Sequence, residues 1–150
     1  GLSWRYEMRR QCQEILPEAL YLGPADSGRY LPPLHALGIT AIVIVRTDVE
    51  APFLKPRFPN QFQYAVFDVG DRFEQNLIRI VPELVSFIDG ATRDGGKVLV
   101  HDDNGISRAP ALVIMYLMEK FSVSYDVAAA HVQERRYCVH LNEGFVVQCK

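Results

Sequence analysis

The run Lys97-Val98-Leu99-Val100-His101 follows the turn signal Gly95-Gly96 and ends in a short polar stretch, Asp102-Asp103-Asn104-Gly105-Ile106-Ser107-Arg108. Ala109-Pro110-Ala111-Leu112-Val113-Ile114-Met115-Tyr116-Leu117-Met118-Glu119-Lys120 comes directly after it. The first run is β-branched and apolar, as in a strand buried on both faces. The last is apolar almost all round, as in a buried helix, and Pro110 is acceptable only in the first turn, where N–H groups lack intrahelical partners. A buried strand feeding a buried helix through a seven-residue, mostly polar stretch constrains the fold strongly. It requires a largely parallel sheet covered by helices on both faces.

The remainder of the chain fits that frame. Residues 15–23 read as a short strand pair bent at Pro17, and residues 27–37 as a short helix closed by Gly38. Residues 39–45 and 64–68 are further strands, separated by a loop over 51–62 that carries Pro52, Pro56 and Pro59. Leu77, Ile78, Val81, Leu84, Val85 and Ile88 form a helical stripe within 74–94, with Pro82 placed to kink it. Residues 125–136 are the last clear helix, and a further one begins near the end of the sequence. With no repeat, linker or low-complexity segment, residues 1–150 read as a single α/β domain with a central, mostly parallel twisted sheet flanked by helices.

In such folds ligands sit at the carboxyl ends of strands, where residues 101–108 fall. Successive backbone N–H groups there converge on one anion, and the helix dipole adds positive potential. Gly105 permits a backbone conformation that a Cβ would hinder, and Arg108 offers a planar fork for two phosphate oxygens.

His-x-x-x-Gly-x-x-Arg between a strand and a helix resembles the Cys-based protein tyrosine phosphatases, particularly the dual-specificity branch. Tyr21-Leu22-Gly23, Phe67-Asp68-Val69-Gly70-Asp71, Val132-Gln133-Glu134-Arg135-Arg136 and Asn142-Glu143-Gly144-Phe145-Val146-Val147-Gln148 resemble other segments of that family. Met8-Arg9-Arg10, Gln13-Glu14-Ile15-Leu16-Pro17 and Phe87-Ile88-Asp89-Gly90 are similar to its interacting-protein branch of pseudophosphatases. The resemblance implies a dual-specificity phosphatase fold and a phosphate loop made of His101, Asp102, Asp103, Asn104, Gly105, Ile106, Ser107 and Arg108. It implies a nucleophilic cysteine at position 102, where this chain has aspartate, and a hydroxyl at position 109, where it has alanine. It places the relic general acid at Asp71, with Asp68 the competing candidate. It implies a catalytically inactive binding or scaffolding regulator of phosphorylated signalling proteins, MAP kinases among them, or of ubiquitin-ligase adaptors. The alternative is an active phosphatase whose cysteine was exchanged for Asp102. An aspartate-dependent phosphohydrolase would need a metal ion, and a sulfurtransferase-like domain would need the missing thiol.

Two placements of Asp102 are open: its carboxylate fills the anion nest as an internal phosphate substitute, or it points to solvent. In the first case a phosphate would meet a like charge, a repulsion of roughly 4 kcal/mol at about 4 Å and an effective dielectric of about 20. Arg108 reads as structural, paired with Asp102 or Asp103, and His101 as a residue that orients the loop. Arg135-Arg136 reads as a solvated pair at a helix end. His35, His131 and His140 lack ligand spacing, so no metal or other cofactor is expected. Phe53, Phe58 and Phe62 either pin the proline-rich loop to the core or form an exposed patch.

A net charge of −2 gives no drive toward nucleic acid or anionic membranes, and no segment approaches the roughly 18 apolar residues of a membrane span. Cys12, Cys138 and Cys149 share no metal or redox spacing and read as reduced thiols of a cytoplasmic or nuclear protein.

Overall fold

A computed structural model describes residues 3–72 and 74–150. Five strands, β1 (Gln13–Leu16), β2 (Leu20–Gly23), β3 (Ala41–Arg46), β4 (Gln63–Asp68) and β5 (Val98–His101), form one sheet in the order β1-β2-β5-β3-β4. β1 runs antiparallel to β2, and the other pairs are parallel. β5 is therefore central, with Gly23 and Ile44 flanking His101.

Alternation along the strands sorts the core into two faces. Ala41, Val43, Val45, Val98 and Val100 meet α2 (Val81–Thr92), α3 (Arg108–Phe121), α4 (Tyr125–Arg135) and α5 (Glu143–Cys149) in the larger cluster. Ile42, Ile44 and Leu99 point the other way, onto Leu34 of α1 (Leu31–Leu37), Leu54 and Phe62. Phe58 and Phe62 meet edge to face and pin the proline-rich segment, whereas Phe53 is about half exposed. Among the described residues no helix is long and apolar enough to cross a membrane.

The boundaries differ from the sequence reading where prolines act. Residues 27–37 are not one helix: a 3₁₀ turn over Ala25–Gly28 is followed by extended Tyr30 and then α1. Pro32 and Pro33 have no N–H to donate and occupy the first turn, so the helix starts at Leu31. Residues 74–94 likewise reduce to a turn at Ile78–Ile80 and α2, and Pro82 starts that helix without kinking it. Gly38 closes α1 with φ 81°, a left-handed cap that glycine adopts without a Cβ penalty.

Candidate functional site

The loop leaves β5 at His101 and enters α3 at Arg108. Each carbonyl over residues 102–106 has a fixed donor. His101 Nδ1 donates to Asp102 O at 3.0 Å, and Ala25 N to Asp103 O at 2.9 Å. Arg136 donates to Asn104 O and Gly105 O, each at 2.9 Å, and His140 N to Ile106 O at 2.8 Å. A trans peptide points its N–H away from its C=O. Each carbonyl so held fixes the peptide that carries the next N–H, and of these Gly105 N meets the Asp102 carboxylate while Ile106 N meets Asn104 Oδ1. Gly105 has φ 69°, and a Cβ there would sit 2.7 Å from Arg136 Nη2 and 2.8 Å from the Gly23 carbonyl carbon. Only glycine fits without displacing both.

Asp102 is 1% exposed, so the solvent-facing placement does not hold. One carboxylate oxygen accepts from Gly105 N and the other from Ala109 N, the latter at 2.9 Å. Burial raises its pKa, while those two N–H groups and the Arg108 and Arg136 charges pull it down; burial dominates. His101 is buried too, and burial lowers its pKa to about 4. Its ring is therefore neutral at pH 7, with the hydrogen on Nδ1, because the Asp102 carbonyl can only accept.

Arg108 pairs with neither Asp102 nor Asp103. Its Nη1 and Nη2 donate to Glu50 Oε1 and Oε2 at 2.5 and 2.8 Å, and Nη1 also donates to Val69 O at 3.0 Å. The partner is Glu50, not the Asp102 or Asp103 that the sequence suggested. Asp103 and Asn104 expose their side chains at the loop's crest, with Asn104 Oδ1 accepting from Ile106 N. Hydrogen bonds from Arg108 lower the Glu50 pKa against the opposing effect of burial. Thr47-x-x-Glu50 forms a capping box on the turn Asp48–Glu50, a signal readable in the sequence that would have fixed Glu50's local position.

Asp71 reaches the loop and Asp68 does not. Asp71 Oδ1 accepts from Ser107 Oγ at 3.1 Å and from Asn142 Nδ2 at 2.8 Å, while Asp68 ends β4 opposite Arg46. Asn142 N in turn donates to Ser107 Oγ, and Asn142 Oδ1 caps α5. The segment around Asp71 is thus tied down over the loop's Ser107.

The largest departure from the sequence reading is Arg136. It is fully buried, not a solvated helix-end charge. Its helix ends at Arg135, so Arg136 leaves α4 in an extended conformation that turns the guanidinium inward. Its neighbour Arg135 stays partly exposed beside Glu134. Among the described residues no cluster of three His, Cys, Asp or Glu could hold a metal ion. Cys12, Cys138 and Cys149 are all free thiols, and burial pushes Cys149 up to about 11.

In this geometry the strand–loop–helix turn closes on a buried carboxylate that accepts from Gly105 N and Ala109 N. The family model described as the dual specificity phosphatase catalytic domain matches residues 20–150. The human serine/threonine/tyrosine-interacting protein is 50% identical over 97% of this chain, which spans 66% of that relative's length. Dual specificity protein phosphatase 1 of Arabidopsis thaliana is 36% identical over 89% of this chain and 65% of its own. The crystal structure of the human tyrosine phosphatase-like serine/threonine/tyrosine-interacting protein superposes with a TM-score of 0.90 at 49% identity, over 93% of each chain. The strand–nest–helix arrangement and these likenesses agree, and the chain belongs to the dual specificity phosphatase family.

Proposed function

We propose that this chain is a pseudophosphatase, a binding module that engages phosphorylated signalling proteins and does not hydrolyse them. The observation that carries this reading is the Asp102 carboxylate, buried and accepting from Gly105 N and Ala109 N. A thiolate at that position would owe its nucleophilicity to the same N–H groups. Removing the nucleophile of a serine hydrolase costs about a million-fold in kcat. A carboxylate nucleophile would form an acyl-phosphate and need a cation to offset its charge. The human relative's name describes an interaction and not a hydrolysis. Phosphorylated MAP kinases and ubiquitin-ligase adaptors of the cytoplasm or nucleus are the partner classes that the family likeness suggests.

A second reading, an active phosphatase whose cysteine was exchanged for Asp102, draws on the retained Gly105, Ser107, Arg108 and Asp71. Aryl phosphate hydrolysis by the parent, with and without Mg²⁺, and by Asp102→Cys separates the two. The proposal expects background turnover by the parent and partial rescue by cysteine, slowed because Ala109 has no hydroxyl to assist release. Clear turnover by the parent would overturn it. Phosphopeptide binding should weaken on Arg108→Ala only if an incoming phosphate draws the guanidinium away from Glu50 and Val69 O, so unchanged binding would mark the residue as structural alone.

A further inference from the structure

Every N–H of Arg136 has an acceptor. Nε donates to Gly105 O and Nη2 to Asn104 O and Arg9 O, all at 2.9 Å. Nη1 donates to Gln11 O at 2.9 Å and Gln13 Oε1 at 2.6 Å. Two of these five bonds hold the outside of the loop, and three hold the N-terminal segment over residues 9–13. All five acceptors are uncharged, and no ion pair to Arg136 is present among the described residues. A buried guanidinium is costly unless its charge is answered. The anion it faces across the loop is Asp102, and each of the two charges favours the ionised form of the other.

We infer that Arg136 is the positioning residue of the anion nest, and that through it residues 9–13 become a working part of the site. The guanidinium fixes two consecutive carbonyls and so sets the peptides that carry Gly105 N, which meets the Asp102 carboxylate, and Ile106 N, which meets Asn104 Oδ1. It also places a positive charge behind the nest, opposite whatever anion occupies the floor. A lysine cannot do this, because three donors radiating from one nitrogen cannot span two loop carbonyls and three acceptors on the N-terminal segment. The inference concerns the same loop as the proposed function, and its anion-binding arm rests on that reading. Its dynamic arm does not.

The test uses the full chain. In Arg136→Lys, amide hydrogen exchange over residues 104–107 should rise at least tenfold relative to the amides of β5, whose exchange reports global opening. Arg135→Ala should leave that ratio unchanged. In an Asp102→Gly background, which vacates the floor, tungstate affinity measured by calorimetry should fall at least tenfold when Arg136→Lys is added. Should Arg136→Lys fail to fold, Gln13→Met, which removes a single acceptor on the N-terminal segment, should still raise the exchange ratio about threefold. Loop and β5 amides that accelerate in step would show an ordinary core residue and overturn the inference. If Asp102→Gly binds no tungstate, the nest reading fails while the exchange ratio still decides the role of Arg136.

Discussion

Outside the loop, every carbonyl over residues 102–106 meets a donor held by another part of the fold: a strand-end histidine, a turn amide, a buried arginine and the segment before α5. Inside it, two N–H groups are taken by the loop's own Asp102. The outer side is a scaffold of neutral acceptors and fixed donors, set for one backbone shape. The inner side carries the charge, and there one residue sets the sign of what an incoming anion would meet. Shape and chemistry are separable in this site because different residues, on opposite sides of one backbone, carry them.

The sharpest way to break the outer side is Arg136→Met. It strips the partners from four buried or half-buried carbonyls at about 1–3 kcal/mol each where no water replaces them, and about 4 kcal/mol should be lost in urea melts. A loss under about 1 kcal/mol would mean that these carbonyls find other donors.

Acid attacks the same side through His101. Its folded pKa of about 4 lies below the ordinary 6.5, so the unfolded chain takes up the proton first as pH falls. Stability should therefore drop between roughly pH 6.5 and 4, by about 3 kcal/mol at the bottom of the window. His101→Gln, which keeps a donor for Asp102 O, should flatten that slope in pH-dependent melts.

Gly105→Ala tests whether the glycine is required by conformation. Left-handed backbone costs a residue with a Cβ about 1–2 kcal/mol, to which displacement of Arg136 Nη2 and the Gly23 backbone is added. Destabilisation of about 2 kcal/mol or more is expected, and a neutral result would break the account of the loop's curvature.

Asp102→Gly addresses the inner side. It frees the N–H groups of Gly105 and Ala109 and should cost about 1–2 kcal/mol without added anion. At a hundredfold excess of tungstate over its Kd, about 2.7 kcal/mol should return, seen as a rise in Tm that the parent does not share. The parent's Asp102 carboxyl should titrate above the ordinary aspartate range in carbon NMR, because burial raises its pKa. The unfolded chain then releases its proton first, so Asp102 subtracts stability as pH rises through about 4 toward the folded value. A carboxyl that titrates below the ordinary range would show the N–H bonds winning over burial.

How much of this was legible in the sequence differs between the two sides. β5, the loop and α3 were readable because each rests on local signals: a β-branched run, a polar interval with glycine, and an apolar run with proline in its first turn. The floor was readable only in part: Asp102 stands inside the motif, but nothing local chose between the nest and solvent. The outer scaffold was not. Arg136 draws its acceptors from residues 9–13 and 104–105, and nothing local distinguishes it from Arg135, which keeps the solvated role expected of such a charge. Glu50 lies 58 residues from Arg108, and only its capping role was written locally. The helix starts at Leu31 and Val81 are not visible in apolar periodicity, because they are set by Pro32, Pro33 and Pro82, whose missing N–H makes proline a first-turn residue.

One consequence of the Asp102 geometry concerns folding more than binding. Ser107 stands at the N-cap of α3 but gives that helix no side-chain cap, and the donor it leaves unserved, Ala109 N, is taken by Asp102 from seven residues upstream. An acidic group at a helix start contributes about 0.3–1 kcal/mol when exposed and up to about 2 when partly buried. Asp102 is thus a remote cap for the molecule's longest described helix, clamping the end of the central strand to the helix that follows. A mutation toward cysteine would unfasten that clamp while restoring a thiol, so gain of chemistry at this position and retention of helix stability would pull the residue choice in opposite directions.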